Sequence, residues 1–285
     1  MRLNPFDASN INVRGGSGGF PGGAGGGVGC GTLVIAAIAY FVFGADPMST
    51  IGTVESMGQG QGQIEQGGSS QDVQALCTQN DYATEACNAL QSLNQTWEPL
   101  FQQANIPFQQ PTLVFYQGGT RSGCGAASAA MGPFYCPQDE GIYIDTSFYD
   151  EMNRKLGAGP GDFARYYVIA HEYGHHVQKL TGVADAIASA QQQDPARANR
   201  LQVLMELQAD CYAGVWAGKN RNLIEPGDFE EGMQAASAIG DDTLTHGTVS
   251  PDNFTHGTSA QRMQALRLGL ETGDDTQCDR ILEAR

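Results

Sequence analysis

The residues with the most chemical content lie within 165–180, where His171-Glu172-Tyr173-Gly174-His175 forms an H-E-x-x-H motif inside an apolar-periodic stretch. Residues four apart on a helix share a face one turn apart, so both imidazoles can present a nitrogen to one zinc ion. Glu172 then lies beside the metal, where a carboxylate can take a proton from the attacking water and return it to a leaving amine. His176 points about 100° away around the helix and reads as a packing or hydrogen-bonding residue. Gly174 in mid-helix costs about 1 kcal/mol relative to alanine, which calls for close approach by substrate or a neighbouring helix, or for tight core packing.

A zinc site that performs catalysis takes three protein ligands and leaves one position open. The third ligand is expected in the helical stretch 201–217, where Glu206 and Asp210 are again four apart and are acidic in otherwise apolar surroundings. Unpaired carboxylates would be costly to bury there. Glu206 is expected to bind the metal, and Asp210 to accept a hydrogen bond from the far nitrogen of a zinc-bound histidine, fixing its tautomer. The alternative, a solvated acidic stripe, is opposed by Leu207, Ala209, Tyr212, Ala213, Val215 and Trp216, which leave little polar face. Downstream, a polar loop carries Thr245-His246-Gly247-Thr248 and a near copy, Thr255-His256-Gly257-Thr258. The second copy opens a predicted helix over 259–272, with Thr258 or Ser259 as N-cap and Gly273 as its stop. His256 is therefore a candidate donor to the oxyanion formed at a peptide carbonyl, with a structural loop histidine as the alternative. His246 is given no role.

Several elements must hold these residues. Helical spacing over 73–103, interrupted at Gln79-Asn80-Asp81, predicts a helical hairpin, and 111–116 and 141–145 read as strands. The intervening 118–137 is expected to be a loop pinned by Cys124 and Cys136, and a further helix is expected over 229–239. With Cys30 set aside, six cysteines remain, and nearest-neighbour pairing would bridge Cys77 to Cys87, Cys124 to Cys136 and Cys211 to Cys278. No C-x-x-C pair supports a redox role. At the N-terminal side, residues 1–27 end in a glycine-rich stretch and read as a flexible tail. The uncharged run 28–45 is long enough for a single transmembrane helix, 46–71 reads as a linker, and the folded domain is expected over 72–285. Arg2 and Arg14 ahead of the run favour a cytoplasmic N-terminus and an extracytoplasmic C-terminal domain.

The chain has 285 residues, with 15 Lys plus Arg against 31 Asp plus Glu, a net charge of −16. So few cations exclude a nucleic-acid partner, because phosphate contacts need a basic face. In its motifs the chain resembles a bacterial family of neutral zinc metallopeptidases. The likeness is carried by Cys124-Gly125, 132–137, Tyr143-Ile-Asp145, 171–178, 206–216, 255–262 and 271–274, together with the glycine-rich leader and the apolar run. The resemblance implies a zincin-like fold of the Glu-ligand type, with ligands His171, His175 and Glu206 and catalytic Glu172. The stretch 185–199, rich in Ala and Gln, is where the pattern departs from its relatives. The expected fold class is α+β, mostly helical with a small sheet, behind an N-terminal transmembrane helix. The expected function is a membrane-anchored zinc endopeptidase acting on extracytoplasmic polypeptide. A non-enzymatic zinc-containing binding protein and a zinc amidase acting on cell-wall peptides are the alternatives.

Overall fold

The computed structural model describes residues 1–16, 70–150 and 161–283. Within them, α1 (Ser70–Cys77) and α2 (Asp81–Gln103) form the expected helical hairpin. Asn80 stands between them in extended conformation, and its side chain accepts the Ala83 N–H, satisfying one of the donors a helix start leaves over. A Cys77–Cys87 bridge closes the hairpin.

The two aromatic and β-branched runs form β2 (Thr112–Tyr116) and β6 (Gly141–Asp145), paired in parallel with Leu113 opposite Ile142. β5 (Phe134–Cys136) lies antiparallel on the other side of β6. β1 (Asn12–Gly15) lies parallel to β2 with Val13 opposite Leu113, so the sheet order is β1-β2-β6-β5. A separate hairpin joins β3 (Gly119–Ser122) to β4 (Gly125–Ser128), and the Cys124–Cys136 bridge ties it to β5. The stretch expected to be a loop therefore holds three strands. At four, four and three residues they are too short to show a period of two, and β3 and β4 are also rich in Gly, Ser and Ala.

The helical layer consists of α3 (Asp162–Leu180), α4 (Val183–Gln193), α5 (Ala198–Lys219), α6 (Asp228–Ala238), α7 (Ser259–Thr272) and α8 (Thr276–Leu282). α5 is buried at every position from Glu206 to Ala217, which marks it as the central helix. α7 begins in a capping box between Thr258 and Gln261 and stops at Gly273, whose φ of 59° is in the left-handed region. α8 is bridged to α5 by Cys211–Cys278. One apolar core runs from Val13 and Leu113 in the sheet through Leu93 and Ile169 to Trp216 and Leu266 in the helices.

The fold class needs one correction. Among the described residues no helix is long and apolar enough to cross a membrane. The run 28–45 and residues 46–69 of the expected linker 46–71 lie outside the described residues, Ser70 and Gln71 already belong to α1, and the chain on both sides is described. β1 precedes the run, β2 follows it, and the two share a register in one sheet. A chain that crossed a bilayer once between them would leave those strands on opposite faces. Residues 1–15, expected in a flexible tail, instead belong to the domain: Met1, Ile11 and Val13 are buried, and Arg14 donates to the Tyr143 hydroxyl at 2.9 Å. The domain is thus not one that stands behind a single N-terminal spanning helix.

Candidate metal centre

The site forms where α3 crosses α5, and Gly174 permits the crossing. A Cβ at this position would lie 2.8 Å from the carbonyl oxygen and 2.9 Å from the Cα of Ala209, so the two backbones meet with no room for a side chain. That contact brings the H-E-x-x-H face of α3 onto the acidic face of α5. One donor atom from each of His171, His175 and Glu206 lies within 4.8 Å of the others. Glu206 Oε2 is 3.2 Å from His171 Nε2 and 3.6 Å from His175 Nε2. Donors held at 2.0–2.1 Å from one tetrahedral ion are about 3.3 Å apart, so the spacing fits a zinc-sized cation.

Each donor is held from behind. His171 Nδ1 lies 2.8 Å from Asp210 Oδ1, which also accepts the Tyr167 hydroxyl at 2.6 Å. Arg262, only 1% exposed, grips Asp210 with two N–H groups, each at 2.9 Å. Burial alone would raise Asp210, but Arg262 and His171 hold it below the usual carboxylate range. His175 Nδ1 lies 2.9 Å from Gln178 Oε1. Glu206 Oε1 accepts from Gln202 at 2.9 Å, which leaves only Oε2 facing the imidazoles.

The electrostatics favour a cation. Burial lowers the His171 pKa, yet Asp210 and Glu206 outweigh it and bring it up to about 10. Burial would likewise raise Glu206, and His175 and His171 hold it well below its ordinary value. Glu172 is buried beside them; burial pushes its carboxyl above the usual range against the opposing pull of His171 and His175. Such a shift suits a group that must take up a proton and release it.

His256 approaches from the turn before α7 and lies within electrostatic reach of Glu206. Asp241 holds it by accepting the backbone N–H groups of Thr255, His256 and Gly257 at 2.8, 2.7 and 3.0 Å, and by a 3.1 Å contact with Nδ1. Its Nε2 is buried with no hydrogen-bond partner. His176 faces elsewhere: Nε2 donates to the Gln109 carbonyl at 2.7 Å, Nδ1 accepts from Tyr135 at 3.0 Å, and burial lowers its pKa to about 4. His246 is exposed, with φ of 50°. A second group, Asp162, Asp228 and Glu231, also converges within 4.8 Å, but it contains no imidazole and the Met1 nitrogen already lies 2.9 Å from Asp162 and 2.8 Å from Asp228.

Of the residues singled out in the sequence, His171, Glu172, His175, Glu206 and Asp210 come together at this crossing and His256 lies within electrostatic reach of Glu206. Tyr167, Gln178, Gln202, Asp241 and Arg262 were not singled out there. Spacing offered a signal for two of these, because Gln178 is three residues after His175 and Gln202 four before Glu206, on the same helix faces. Arg262 was hidden within a helix read through its apolar stripe. The cysteines pair as nearest neighbours in three bridges, while Cys30 lies outside the described residues.

A family model described as "Putative neutral zinc metallopeptidase" matches residues 4–281. The chain belongs to this family. Among its relatives is "Uncharacterized protein YpfJ" of Escherichia coli, 53% identical over 196 residues that make up 67% of this chain and 68% of that one. "Uncharacterized protein Rv2575" of Mycobacterium tuberculosis is 40% identical over 204 residues, 66% of this chain and 67% of its own. No solved structure matches the chain. Membership in the neutral zinc metallopeptidase family makes zinc the metal and peptide hydrolysis the chemistry at the level of the family.

Proposed function

We propose that the chain is a zinc-dependent endopeptidase whose metal is held by His171, His175 and Glu206, with Glu172 as general base and acid. The observation that carries this is the convergence of two imidazole nitrogens and one carboxylate oxygen around a single point, with a second, non-ligating carboxylate, that of Glu172, buried beside them. A purely structural metal site would need no such carboxylate. Bound zinc would supply a Lewis acid that acidifies water and polarises the scissile carbonyl. Glu172 takes the proton from the attacking water and passes it to the leaving amine. His256, held at Nδ1 by Asp241 and with its buried Nε2 unpartnered, is the candidate group to meet the carbonyl oxygen as negative charge develops there. β5 is an edge strand with Tyr135 in contact with His176 of α3, the helix that carries two of the metal donors, and an extended polypeptide can add to such an edge through backbone hydrogen bonds. The three disulfides support work in an oxidising, extracytoplasmic compartment.

The test measures zinc content and casein hydrolysis on the same samples of the full chain. Glu172→Gln should keep stoichiometric zinc and lose about 10²–10⁴-fold in turnover. Glu206→Gln should weaken zinc binding, since a neutral amide replaces an anionic donor. A wild-type chain with full zinc that cleaves neither casein nor a broad peptide library overturns the peptidase reading. Cleavage of cell-wall peptides alone converts it to an amidase.

A further inference from the structure

Gln178 lies one turn beyond His175, fully buried, and its contacts fix which way its amide points. Nε2 donates to the Met205 carbonyl at 2.7 Å and to Gln208 Oε1 at 3.0 Å. Both partners are oxygens, so the amide nitrogen faces them and Oε1 faces His175 Nδ1 at 2.9 Å. Gln208, also fully buried, is oriented in the same manner. Its Nε2 donates at 3.3 Å to Asp279 on α8, an acceptor only, which turns its Oε1 inward to Gln178.

We propose that Gln178, oriented by Gln208 and Asp279, is the positioning residue for His175: it accepts the Nδ1 proton and thereby leaves Nε2 as the atom that binds the metal. This rests on the metal centre proposed above and deepens it. The donors all run outward, from the imidazole to Gln178, on to Gln208, and on to the Asp279 carboxylate, so each bond polarises the next. The outer end is anchored, because Asp279 follows Cys278, which is bridged to Cys211 of α5, and Tyr212 donates to the same carboxylate oxygen at 3.4 Å. Packing alone does not account for two buried amides between α3 and α5. Apolar side chains would fill the same space without the cost of desolvating polar groups.

The experiment uses the full chain with zinc as the probe. Zinc dissociation constants are measured by chelator competition for wild type, Gln178→Met, Gln178→Glu and Gln208→Met, with thermal unfolding recorded on the same proteins without added metal. Gln178→Met should bind zinc about 10–100-fold more weakly. Gln178→Glu keeps an acceptor for His175, and as a protonated carboxyl its second oxygen still donates to the Met205 carbonyl, so affinity should return toward wild type. A cobalt-loaded sample should show a shifted visible absorption band in Gln178→Met and the wild-type band in Gln178→Glu. Gln208→Met, which frees the Gln178 amide to rotate, should fall between, and it carries the test should Gln178→Met not fold. Wild-type zinc affinity in Gln178→Met or in Gln208→Met overturns the relay, as does a Gln178→Glu protein as weak as Gln178→Met. A wild-type chain that takes up no zinc overturns the metal centre and the relay with it, whereas full zinc uptake with equal affinities overturns the relay alone.

Discussion

His171 and His175 stand one turn apart on the same helix, yet the protein backs them with different chemistry. Behind His171 is a carboxylate in direct contact, itself locked by a guanidinium and a tyrosine hydroxyl, all out of reach of water. Behind His175 are two neutral amides, and the carboxylate comes only at the far end. The ionic side makes a more basic ligand, but its members depend on one another, since a buried charge that loses its partner is expensive. The amide side makes a weaker electrostatic demand, and each of its members risks only a hydrogen bond. Two identical ligands can thus be oriented alike while the stability of the fold rests far more on one than on the other.

The largest effect that would test this contrast is expected from Arg262→Met, which strands Asp210 without its counter-ion. Unfolding in urea should show a loss of about 3–5 kcal/mol, and an unchanged midpoint would erase the distinction between the two sides. Adding Asp210→Asn to Arg262→Met removes the stranded charge. The pair should recover part of that stability while zinc affinity stays about 10–100-fold below wild type, separating the energetic role of the ion pair from its orienting role. Next in size is Gly174→Ala, where the new methyl meets the Ala209 backbone. A loss of about 1–3 kcal/mol is expected, with both sides of the centre disturbed together because both rely on the α3–α5 contact.

The smallest effect at neutral pH concerns His176, the third imidazole of α3, which has no charged partner in its hydrogen bonds. Its pKa is about 4 in the fold against an ordinary 6.5, so it is held neutral. The stability this contributes is fully present above pH 6.5 and is lost as the pH falls toward 4, by at most about 1.4 kcal/mol per pH unit. Replacing it with Gln should remove that component of the acid slope. A variant whose stability falls with pH just as wild type does would show that His176 is not held neutral.

What could be read from the sequence follows the range of the interactions involved. The four-residue spacing of His171 with His175, and of Glu206 with Asp210, needs only one turn of helix to become meaningful, and the capping of α7 by Thr258 is equally local. β2 and β6 announced themselves as short β-branched and aromatic runs bounded by Gly, Pro and Asp. Arg262 did not, because its role exists only once α7 lies across α5, where Gly269 and Gly214 let the backbones touch. β1 was missed for a related reason. Asn12-Val-Arg-Gly15 holds one buried apolar residue and draws its identity as a strand from a partner a hundred positions away.

That distance bears on how the molecule is made and how it comes apart. Val13 emerges from the ribosome long before Leu113, and closing a loop of that length costs about 4 kcal/mol in chain entropy before any pairing is gained. The strand Asn12–Gly15 docks against that cost with the help of Met1 on Asp162 and Asp228 and of Arg14 on Tyr143, and as an edge strand it should exchange its amides faster than β6. When it lifts away, β2 presents an edge complementary to one sequence above all others, the same strand of another copy of the chain. Strand exchange between molecules would then grow with concentration and reverse on dilution, and size-exclusion chromatography of the full chain at two concentrations would read it.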